Sequence, residues 1–216
     1  MIDASTIDNL RDATLLKLNE FRESLKAYKR AAKKPPLFLH EKRPVKMREE
    51  GLANCRVFAD RFQMMRTMAS GKIGAEIGVQ RGDFSRFMLD ELPLSHLHLL
   101  DLSIPQIRPD VRSDSRVSLH GGNSSPNLLA LTPGSLDWAY IDGDHSYDGA
   151  MKDARAALQA VKPGGILFFN DYTMWSPGEA IPYGVVAAVH ELVNEGYDMI
   201  AVALTPTGYF DVALQR

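Results

Sequence analysis

Two apolar runs that end in carboxylates constrain the fold of this chain more than any other feature. The first run, residues 136–141, leads into Asp142, and the second run, residues 164–169, leads into Asn170 and Asp171. This pattern is typical of buried parallel strands that deliver polar side chains to the edge of an α/β sheet, where ligands of such sheets bind. Because neighbouring strands lie about 4.8 Å apart, Asp142 and Asp171 would face one small volume if their strands are adjacent. We interpret that volume as a candidate active site.

Length and composition limit the class of protein. With 216 residues, of which 45% are apolar and 24% charged, the chain is long enough for one α/β domain with an N-terminal extension. A net charge of −2 provides no overall field that would recruit nucleic acid or an anionic membrane, so we expect neither partner.

The start of the chain and its cysteine content bear on the compartment. The single cysteine, Cys55, excludes an intramolecular disulfide and a cysteine-based zinc site, and its apolar neighbours indicate a buried structural thiol. The first residues do not resemble a signal peptide, and no apolar stretch is long enough to span a bilayer. We therefore expect a cytoplasmic protein.

Residues 1–70 are predicted to form a helical extension. Apolar residues recur at spacings of three and four over residues 5–30, which predicts an amphipathic helix. Its apolar stripe needs a partner surface, either the helices of the sheet or a second copy of the chain, so a homo-oligomer is one expectation. A second helix is predicted from Leu52 to Met68. The basic segment 26–48 is either a solvated face or a receiver for a phosphorylated or carboxylated group.

From residue 72 onward, short apolar runs alternate with amphipathic segments, which predicts an α/β fold with a doubly wound parallel sheet. Two final runs, residues 199–204 and 209–214, are joined by too few residues for a crossover helix, so they are predicted to form an antiparallel hairpin. The expected architecture is a Rossmann-like, seven-stranded sheet that is mainly parallel. The other predicted strands lie near residues 73–77, 97–101, 116–120, 136–142 and 164–170, and the predicted helices near residues 83–92, 124–131, 147–161 and 181–195.

Three loops at the predicted sheet edge carry glycine or acidic residues. After the first strand, Gly78 and Gly82 would let the backbone approach a ligand closely and turn into a helix. Their spacing is G-x-x-x-G rather than G-x-G-x-x-G, which argues against a nicotinamide cofactor. Asp101 ends the second strand, where a carboxylate can accept hydrogen bonds from the two hydroxyls of a ribose. With the small residues at 121–124 after the third strand, these loops favour a nucleoside site.

Residues 72–216 resemble the class I S-adenosylmethionine-dependent methyltransferases. That family carries E-x-G-x-x-x-G after its first strand, an acid after the second, an acidic motif after the fourth and a terminal antiparallel hairpin, and all four features occur here. The run Asp142-Gly143-Asp144-His145, followed by Asn170-Asp171, is most similar to small O-methyltransferases of the catechol, caffeoyl-coenzyme A and macrocin types. The resemblance implies methyl transfer from S-adenosylmethionine to a hydroxyl of a small molecule such as a sugar, a catechol or a natural product.

The resemblance also implies roles for individual residues. The residues implied to surround S-adenosylmethionine are Glu76, Gly78, Gly82 and Ser85, Asp101 at the ribose, Gly122, Asn123 and Ser124 at the adenine, and Asp142. The ligands implied for Mg²⁺ or another divalent cation are Asp142, Asn170 and Asp171, with Asp144 as a substitute. The pair after the fifth strand is Asn-Asp here, whereas the catechol type has Asp-Asn. His145 falls where catechol-type enzymes place a catalytic lysine, which implies that it acts as a base.

Two ways of activating the acceptor remain open at this stage. A hard cation held by oxygen ligands would bind the acceptor hydroxyls and lower the pKa of the attacking one. Alternatively, His145 would abstract the proton directly, since the ordinary pKa of histidine, about 6.5, suits neutral pH. The alternatives for the whole protein are a metal-independent methyltransferase of the same fold that uses His145 as base, an NAD-binding Rossmann enzyme and a non-catalytic scaffold.

Overall fold

A computed structural model describes residues 4–32 and 41–216, which fall into two units that divide after residue 40. The first unit contains α1, a helix of 29 residues from Ala4 to Ala32. Its bounds agree with the helix predicted over residues 5–30, and nearly all of its described side chains are exposed. Residues 33–40 of the basic segment lie outside the described residues.

The second unit, residues 41–216, contains a sheet with helices on both faces. Its helices are α2 (Arg61–Met68), α3 (Asp83–Glu91), α4 (Pro109–Arg112), α5 (Ser124–Leu129), α6 (Tyr147–Ala160) and α7 (Val185–Asn194). Its strands are β1 (Arg56–Phe58), β2 (Ile73–Ile77), β3 (His96–Asp101), β4 (Val117–Gly121), β5 (Leu136–Ile141), β6 (Val161–Tyr172), β7 (Trp175–Ser176), β8 (Ile181–Pro182), β9 (Asp198–Ala203) and β10 (Phe210–Gln215). Short 3-10 helices lie at Glu50–Leu52 and Ile104–Gln106.

The sheet has eight strands in the order β1-β9-β10-β6-β5-β2-β3-β4. Strand β10 runs antiparallel to both of its neighbours, β9 and β6, and the other pairs are parallel. The predicted doubly wound, mainly parallel sheet with a C-terminal antiparallel hairpin is therefore confirmed. Strands β5 and β6 are neighbours, and β2 lies between β5 and β3, so the loops after these four strands meet at one edge.

Two details of the prediction are wrong. The sheet has eight strands rather than seven, because β1 pairs in parallel with β9 at the edge of the sheet. The helix predicted from Leu52 to Met68 is a 3-10 turn, a strand and the shorter helix α2. Helix α2 begins late because the Asp60 side chain caps it, accepting a hydrogen bond from the Gln63 N–H at 2.7 Å.

An apolar core lies on each face of the sheet. On one face, α6 and α7 pack over strand residues such as Ile141 and Phe169. On the other face, α2 and α3 pack over strand residues such as Tyr140 and Phe168. Because β5 and β6 are buried on both faces, apolar residues follow one another along them without alternation, and polar residues begin only at the strand ends.

Residues 41–48, the last part of the basic segment, lie along α7. The Arg48 guanidinium donates hydrogen bonds to the Val193 and Tyr197 carbonyl oxygens at 2.7 and 3.0 Å. Lys42 Nζ lies 2.9 Å from Glu191 Oε2. These cations therefore have partners within the chain. Residues 41–70, which the sequence analysis placed in the N-terminal extension, belong to the unit that contains the sheet.

Candidate active site

The loop after β2 turns at Gly78 and Gly82, whose φ angles are 82° and 80°. Residues with a Cβ rarely adopt this left-handed conformation. A Cβ built on Gly78 would come within 2.0 Å of the carbonyl oxygen of Asp142, so the close approach at this glycine is to the end of β5. The Gly78 N–H also donates to the Leu100 carbonyl oxygen at 2.9 Å. The glycine loop is thus fixed to both neighbouring strand ends before Gly82 leads into α3.

Asp101, at the end of β3, holds the glycine loop by its carboxylate. One of its oxygens accepts hydrogen bonds from the Val79 and Gln80 backbone N–H groups, each at 2.8 Å. The other accepts from the Ser103 N–H at 2.7 Å and the Gln106 side-chain amide at 3.2 Å. The side chain implied to bind the ribose therefore also shapes the loop implied to bind the methionine part of the cofactor.

Glu76 and Ser85 lie beneath the loop rather than on its surface. Glu76 is 1% exposed and Ser85 fully buried, and the Ser85 hydroxyl donates to the Glu76 carboxylate. Burial raises the pKa of Glu76 to about 8, although the Ser85 hydrogen bond opposes the shift. This pair ties the first turn of α3 to β2, so both residues act on the loop from inside the fold.

The third predicted loop, after β4, turns at Gly122, whose φ is 97°. Asn123 precedes the first turn of α5, and the Ser124 hydroxyl donates to Asp153 Oδ1 at 2.5 Å. Ser125 donates to the same oxygen at 2.9 Å. Asp153 is 4% exposed and was not predicted as a site residue, because it falls within the apolar face of α6. Its carboxylate joins α6 to the start of α5.

Asp142, His145 and Asp171 meet at the ends of β5 and β6. His145 Nε2 lies 3.4 Å from Asp142 Oδ1 and 3.5 Å from Asp171 Oδ2. Nε2 is buried and makes no hydrogen bond of ordinary geometry, so its contacts with the two carboxylates are electrostatic. Asp171 has a φ of 53°, a strained backbone conformation for a residue with a side chain. The predicted convergence of these three residues is present.

The charges of this cluster depend on one another. Burial raises the pKa of Asp142, and His145 partly offsets that effect. Burial also raises the pKa of Asp171, to about 6, against the opposing charge of His145. For His145, burial lowers the pKa, but the interaction with Asp142 and the charge of Asp171 outweigh it, so the pKa is raised from 6.5. The imidazole is therefore a better proton acceptor than a free histidine.

Local contacts fix the orientation of His145. The ring of Tyr183 stacks on its imidazole, with ring centroids 4.6 Å apart and planes at 8°. The hydroxyl of Tyr183 donates to Glu179 Oε2 at 2.7 Å, which holds the tyrosine in place. Asp144 does not join the cluster, since its carboxylate accepts from the Ser146 N–H at 2.9 Å and Ser146 caps α6. The aromatic type of Tyr183, after the strand that ends in Asp171, is the signal in the sequence that marks it as a possible lining residue of an acceptor pocket.

A divalent cation held by the predicted ligands Asp142, Asn170 and Asp171 would have to share the two carboxylates with His145. The Asn170 amide nitrogen lies 3.3 Å from the Tyr140 hydroxyl and 3.3 Å from Asp211 Oδ1, in a buried network below the cluster. His145 Nε2 lies between the carboxylates that would have to share the ion. Across residues 4–32 and 41–216, no group of three His, Cys, Asp or Glu side chains has the arrangement of metal ligands.

A cavity of about 540 Å³ opens beside this cluster. Asp171 and Tyr183 line it next to His145, and Arg61 of α2 and Asp211 of β10 line its inner wall. Burial raises the pKa of Asp211 to about 7. A second cavity, of about 510 Å³, lies around Gly164 and Lys162 at the other end of β6, away from the carboxylates. The cavity beside Asp171 can therefore hold a substrate of this site.

Comparison with known proteins identifies the central part of the chain. Residues 75–172 match the Methyltransf_24 family, described as a methyltransferase domain. The matched segment, somewhat less than half of the chain, is similar to a methyltransferase domain. The match spans the glycine loop, Asp101, the Asp142–His145 run and Asp171, so it covers every element of the cluster.

A protein of Acanthamoeba polyphaga mimivirus is a curated relative of this chain. The two are 26% identical over 135 residues, which is 56% of this chain and 58% of that protein. The chain therefore spans little more than half the length of this relative.

Solved structures share the fold at low sequence identity. An S-adenosylmethionine-dependent methyltransferase from Mesorhizobium loti superposes with a TM-score of 0.56 at 16% identity, covering 72% of this chain and 95% of that one. The O-methyltransferase TomG from Streptomyces achromogenes, solved with S-adenosylmethionine, gives a TM-score of 0.54 at 19% identity over 71% of this chain and 77% of that one. The chain thus shares the fold of these S-adenosylmethionine-dependent methyltransferases.

None of the described helices is both long enough and apolar enough to cross a membrane.

Proposed function

We propose that this methyltransferase transfers the methyl group of S-adenosylmethionine to a hydroxyl group of a small molecule, with His145 as the general base. The observation that carries the proposal is the position of His145 Nε2 between Asp142 and Asp171, at 3.4 and 3.5 Å. The glycine loop touches Asp142 on one side, and the cavity begins at Asp171 on the other. A cofactor beside the loop and an acceptor in the cavity would thus meet at His145.

The reaction follows from this arrangement. The acceptor hydroxyl gives its proton to neutral His145 Nε2 while its oxygen attacks the methyl carbon. The carbon–sulfur bond breaks, its electron pair stays on sulfur, and S-adenosylhomocysteine leaves. The imidazolium formed in this step is stabilised by the carboxylates of Asp142 and Asp171, the same groups that raise the pKa of His145.

The cofactor is proposed to lie along the ends of β5, β2 and β3. Gly78 and Gly82 would face its methionine part, Asp101 its ribose, and the loop of Gly122 and Asn123 its adenine. Glu76, Ser85 and Ser124 support this surface from below through their hydrogen bonds within the fold. The match of residues 75–172 to a methyltransferase domain supports this placement.

The chemistry of the cavity favours a polar acceptor. Its lining includes the carboxylates of Glu179 and Asp171, the hydroxyls of Thr205 and Ser176, and the ring of Tyr209. Carboxylates and hydroxyls can pair with the several hydroxyls of a sugar, and an aromatic ring can cover its apolar face. A sugar unit is therefore favoured over a flat catechol.

A cation-assisted mechanism is the second candidate. It is favoured by the carboxylates of Asp142 and Asp171, which lie near one another. Burial raises the pKa of both, so their negative charges are costly and a cation would stabilise them. It is disfavoured by His145, whose Nε2 lies within 3.5 Å of both carboxylates and would compete with a cation for them. We therefore propose that methyl transfer proceeds without a divalent cation.

The experiment uses the purified full-length protein. Calorimetry should detect binding of S-adenosylhomocysteine and not of NAD, and a panel of hydroxylated acceptors with labelled S-adenosylmethionine should reveal a substrate. His145→Ala should lower kcat on the order of 10²- to 10⁴-fold with little change in cofactor affinity. His96→Asn is the control, because His96 bonds to Ser118 at the far end of β3.

Activity should persist in excess chelator. Loss of activity in chelator and its recovery on adding Mg²⁺ would establish the cation-assisted mechanism instead. Absence of S-adenosylhomocysteine binding, or a His145→Ala variant as fast as the parent, would overturn the proposed function.

A further inference from the structure

Arg61 is a charged residue of the cavity that the proposed mechanism does not use. It is the first residue of α2, and it lines the same cavity as Asp171. Its guanidinium carbon lies 4.3 Å from the ring centroid of Phe84 and 5.4 Å from that of Phe62. These two rings hold the planar guanidinium group in place, since stacked arginine loses much of its rotational freedom.

The stacking places Arg61 beside the glycine loop. Phe84 lies in the first turn of α3, two residues after Gly82. Phe84 also packs against Tyr140, with ring centroids 4.6 Å apart, and Tyr140 leads along β5 to Asp142. Arg61 therefore lines the cavity while its guanidinium stacks on the helix into which the glycine loop leads.

The guanidinium has hydrogen-bonding capacity left over. Among the residues that the structure describes, no carboxylate oxygen lies within the 4.0 Å ion-pair distance of Arg61. Burial lowers the pKa of Arg61, but the Tyr140 hydroxyl and the charges of Asp211 and Asp142 outweigh it and raise the pKa. The group is thus fully charged, partly desolvated and able to donate several N–H bonds to a ligand.

Resting on the proposed function, we infer that Arg61 binds the carboxylate of the methionine part of S-adenosylmethionine. That part of the cofactor is a zwitterion, with an ammonium group and a carboxylate on the same carbon atom. Asp142 follows β5 next to Gly78, and Arg61 stacks on Phe84 just after Gly82, so an anion and a cation are available near the loop for these two charges. A guanidinium group can bind a carboxylate through two parallel hydrogen bonds, which fixes the direction of the ligand as well as its affinity.

Arg61 is therefore a positioning residue: by holding the methionine end, it sets where the sulfonium methyl points relative to His145.

Two other roles of Arg61 can be distinguished from this one by experiment. Arg61 could serve only as a counter-charge for Asp142 and Asp211, in which case its loss would affect every ligand equally. It could instead bind an anionic group on the acceptor, in which case its loss would not affect the cofactor.

The experiment compares two ligands that differ by one group, S-adenosylmethionine and its decarboxylated form, by calorimetry on the full chain. For Arg61→Met, we expect affinity for S-adenosylmethionine to fall on the order of 10- to 100-fold, and affinity for the decarboxylated form to change less than about threefold. Arg61→Lys should lose part of the affinity, because lysine keeps the charge without the planar pair of donors. The matched control is Arg66→Met: Arg66 lies on the same helix, 5.1 Å from the Phe87 ring centroid, and pairs with Glu91 at 3.3 Å.

Equal losses for both ligands in Arg61→Met and Arg61→Lys would overturn the inference in favour of a structural role. Unchanged affinity for both ligands, with a raised KM for the acceptor, would overturn it in favour of acceptor binding. If the parent protein binds neither ligand, the proposed function itself fails. If the parent binds both ligands and the affinities of Arg61→Met are the same as those of the parent, only the inference about Arg61 fails. The ratio of the two affinities within one variant remains informative even if that variant is less stable.

Discussion

One imidazole shared by two carboxylates sets the chemistry of this site at the residue scale. His145 Nε2 has Asp142 and Asp171 at 3.4 and 3.5 Å, and both raise its pKa against the effect of burial. A base must be neutral to accept a proton, so methyl transfer should fail as the pH falls through the pKa of His145. The carboxylates therefore stabilise the imidazolium that forms when His145 accepts the proton. They also narrow the pH range in which His145 is neutral and able to act as a base.

Asp171→Asn tests this coupling. Removing one of the two anions beside His145 should lower the pKa of the imidazole, so the acidic limb of the kcat/KM profile should move to lower pH. Asp148→Asn is the control, because Asp148 is exposed in the first turn of α6 and does not contribute to the pKa of His145. Profiles with the same acidic limb in both variants would exclude His145 as the titrating base.

At the scale of elements, the glycine loop depends on a close approach between two strand ends. Gly78 and Gly208 have nearly the same left-handed φ, 82° and 81°, but only Gly78 has backbone atoms where a Cβ would stand. Gly208→Ala should cost about 1–2 kcal/mol of unfolding free energy for its conformation alone. Gly78→Ala should cost more, by a further 2 kcal/mol or so, because the Asp142 carbonyl would have to move. Urea unfolding of both variants measures the difference, and equal losses would contradict the close packing of β2 on β5.

The edge strand β4 and its neighbour β3 carry a second titrating group. His98 Nδ1 lies 3.0 Å from His120 Nε2, and burial lowers the pKa of His98 to about 4, with the neighbouring histidines adding to the shift. Between about pH 4 and pH 6.5, His98 is protonated in the unfolded chain but neutral in the folded protein. The stability that neutral His98 contributes is therefore fully present above pH 6.5 and is lost as the pH falls toward 4.

His98→Gln should remove this dependence while keeping a side chain that can bond to His120. As the pH falls from 7 to 4.5, we expect the unfolding free energy of the parent to decrease more than that of His98→Gln. Urea unfolding at both pH values measures it, and His190→Gln is the control, since His190 bonds elsewhere, to Tyr172 and Val45. A difference that does not vary with pH would show that His98 is protonated in the folded state.

At the scale of the whole molecule, α1 belongs to a separate unit and presents apolar side chains to solvent. Its apolar positions repeat after eleven residues, Ile7 and Leu10 returning as Leu18 and Phe21. Such a repeat keeps one stripe on one face of a nearly straight helix, the pattern of helices that pair along their length. We propose that α1 pairs with α1 of a second copy of the chain.

Leu10→Asp and Leu16→Asp form a matched test, because both leucines are 59% exposed but only Leu10 lies on the stripe. We expect the charge at position 10 to shift the assembly toward monomer in sedimentation velocity and the charge at position 16 to leave its mass unchanged. Monomeric parent protein, or equal effects of the two substitutions, would contradict the pairing of α1.

Much of the fold follows from the sequence alone, because its signals are local. The apolar runs of β5 and β6 mark strands buried on both faces, and the four residues after Leu204 leave no room for a crossover helix. Asp142, His145 and Asp171 follow these runs directly, so their meeting depended only on the pairing of β5 with β6. The left-handed glycines of the loop after β2 were also readable, since few other residues tolerate that backbone conformation.

Other features were decided by contacts between distant parts of the chain. Strand β1 has three residues, too few for a period, and it is a strand because β9 offers it hydrogen bonds. Asn170 was predicted as a cation ligand from its position, and only the tertiary structure decides that β10 brings Asp211 Oδ1 within 3.3 Å of its amide nitrogen, which pairs this buried group. Arg61 and Tyr183 reach the cavity from α2 and from the segment before α7. No local pattern can encode such contacts, because each depends on where a remote element packs.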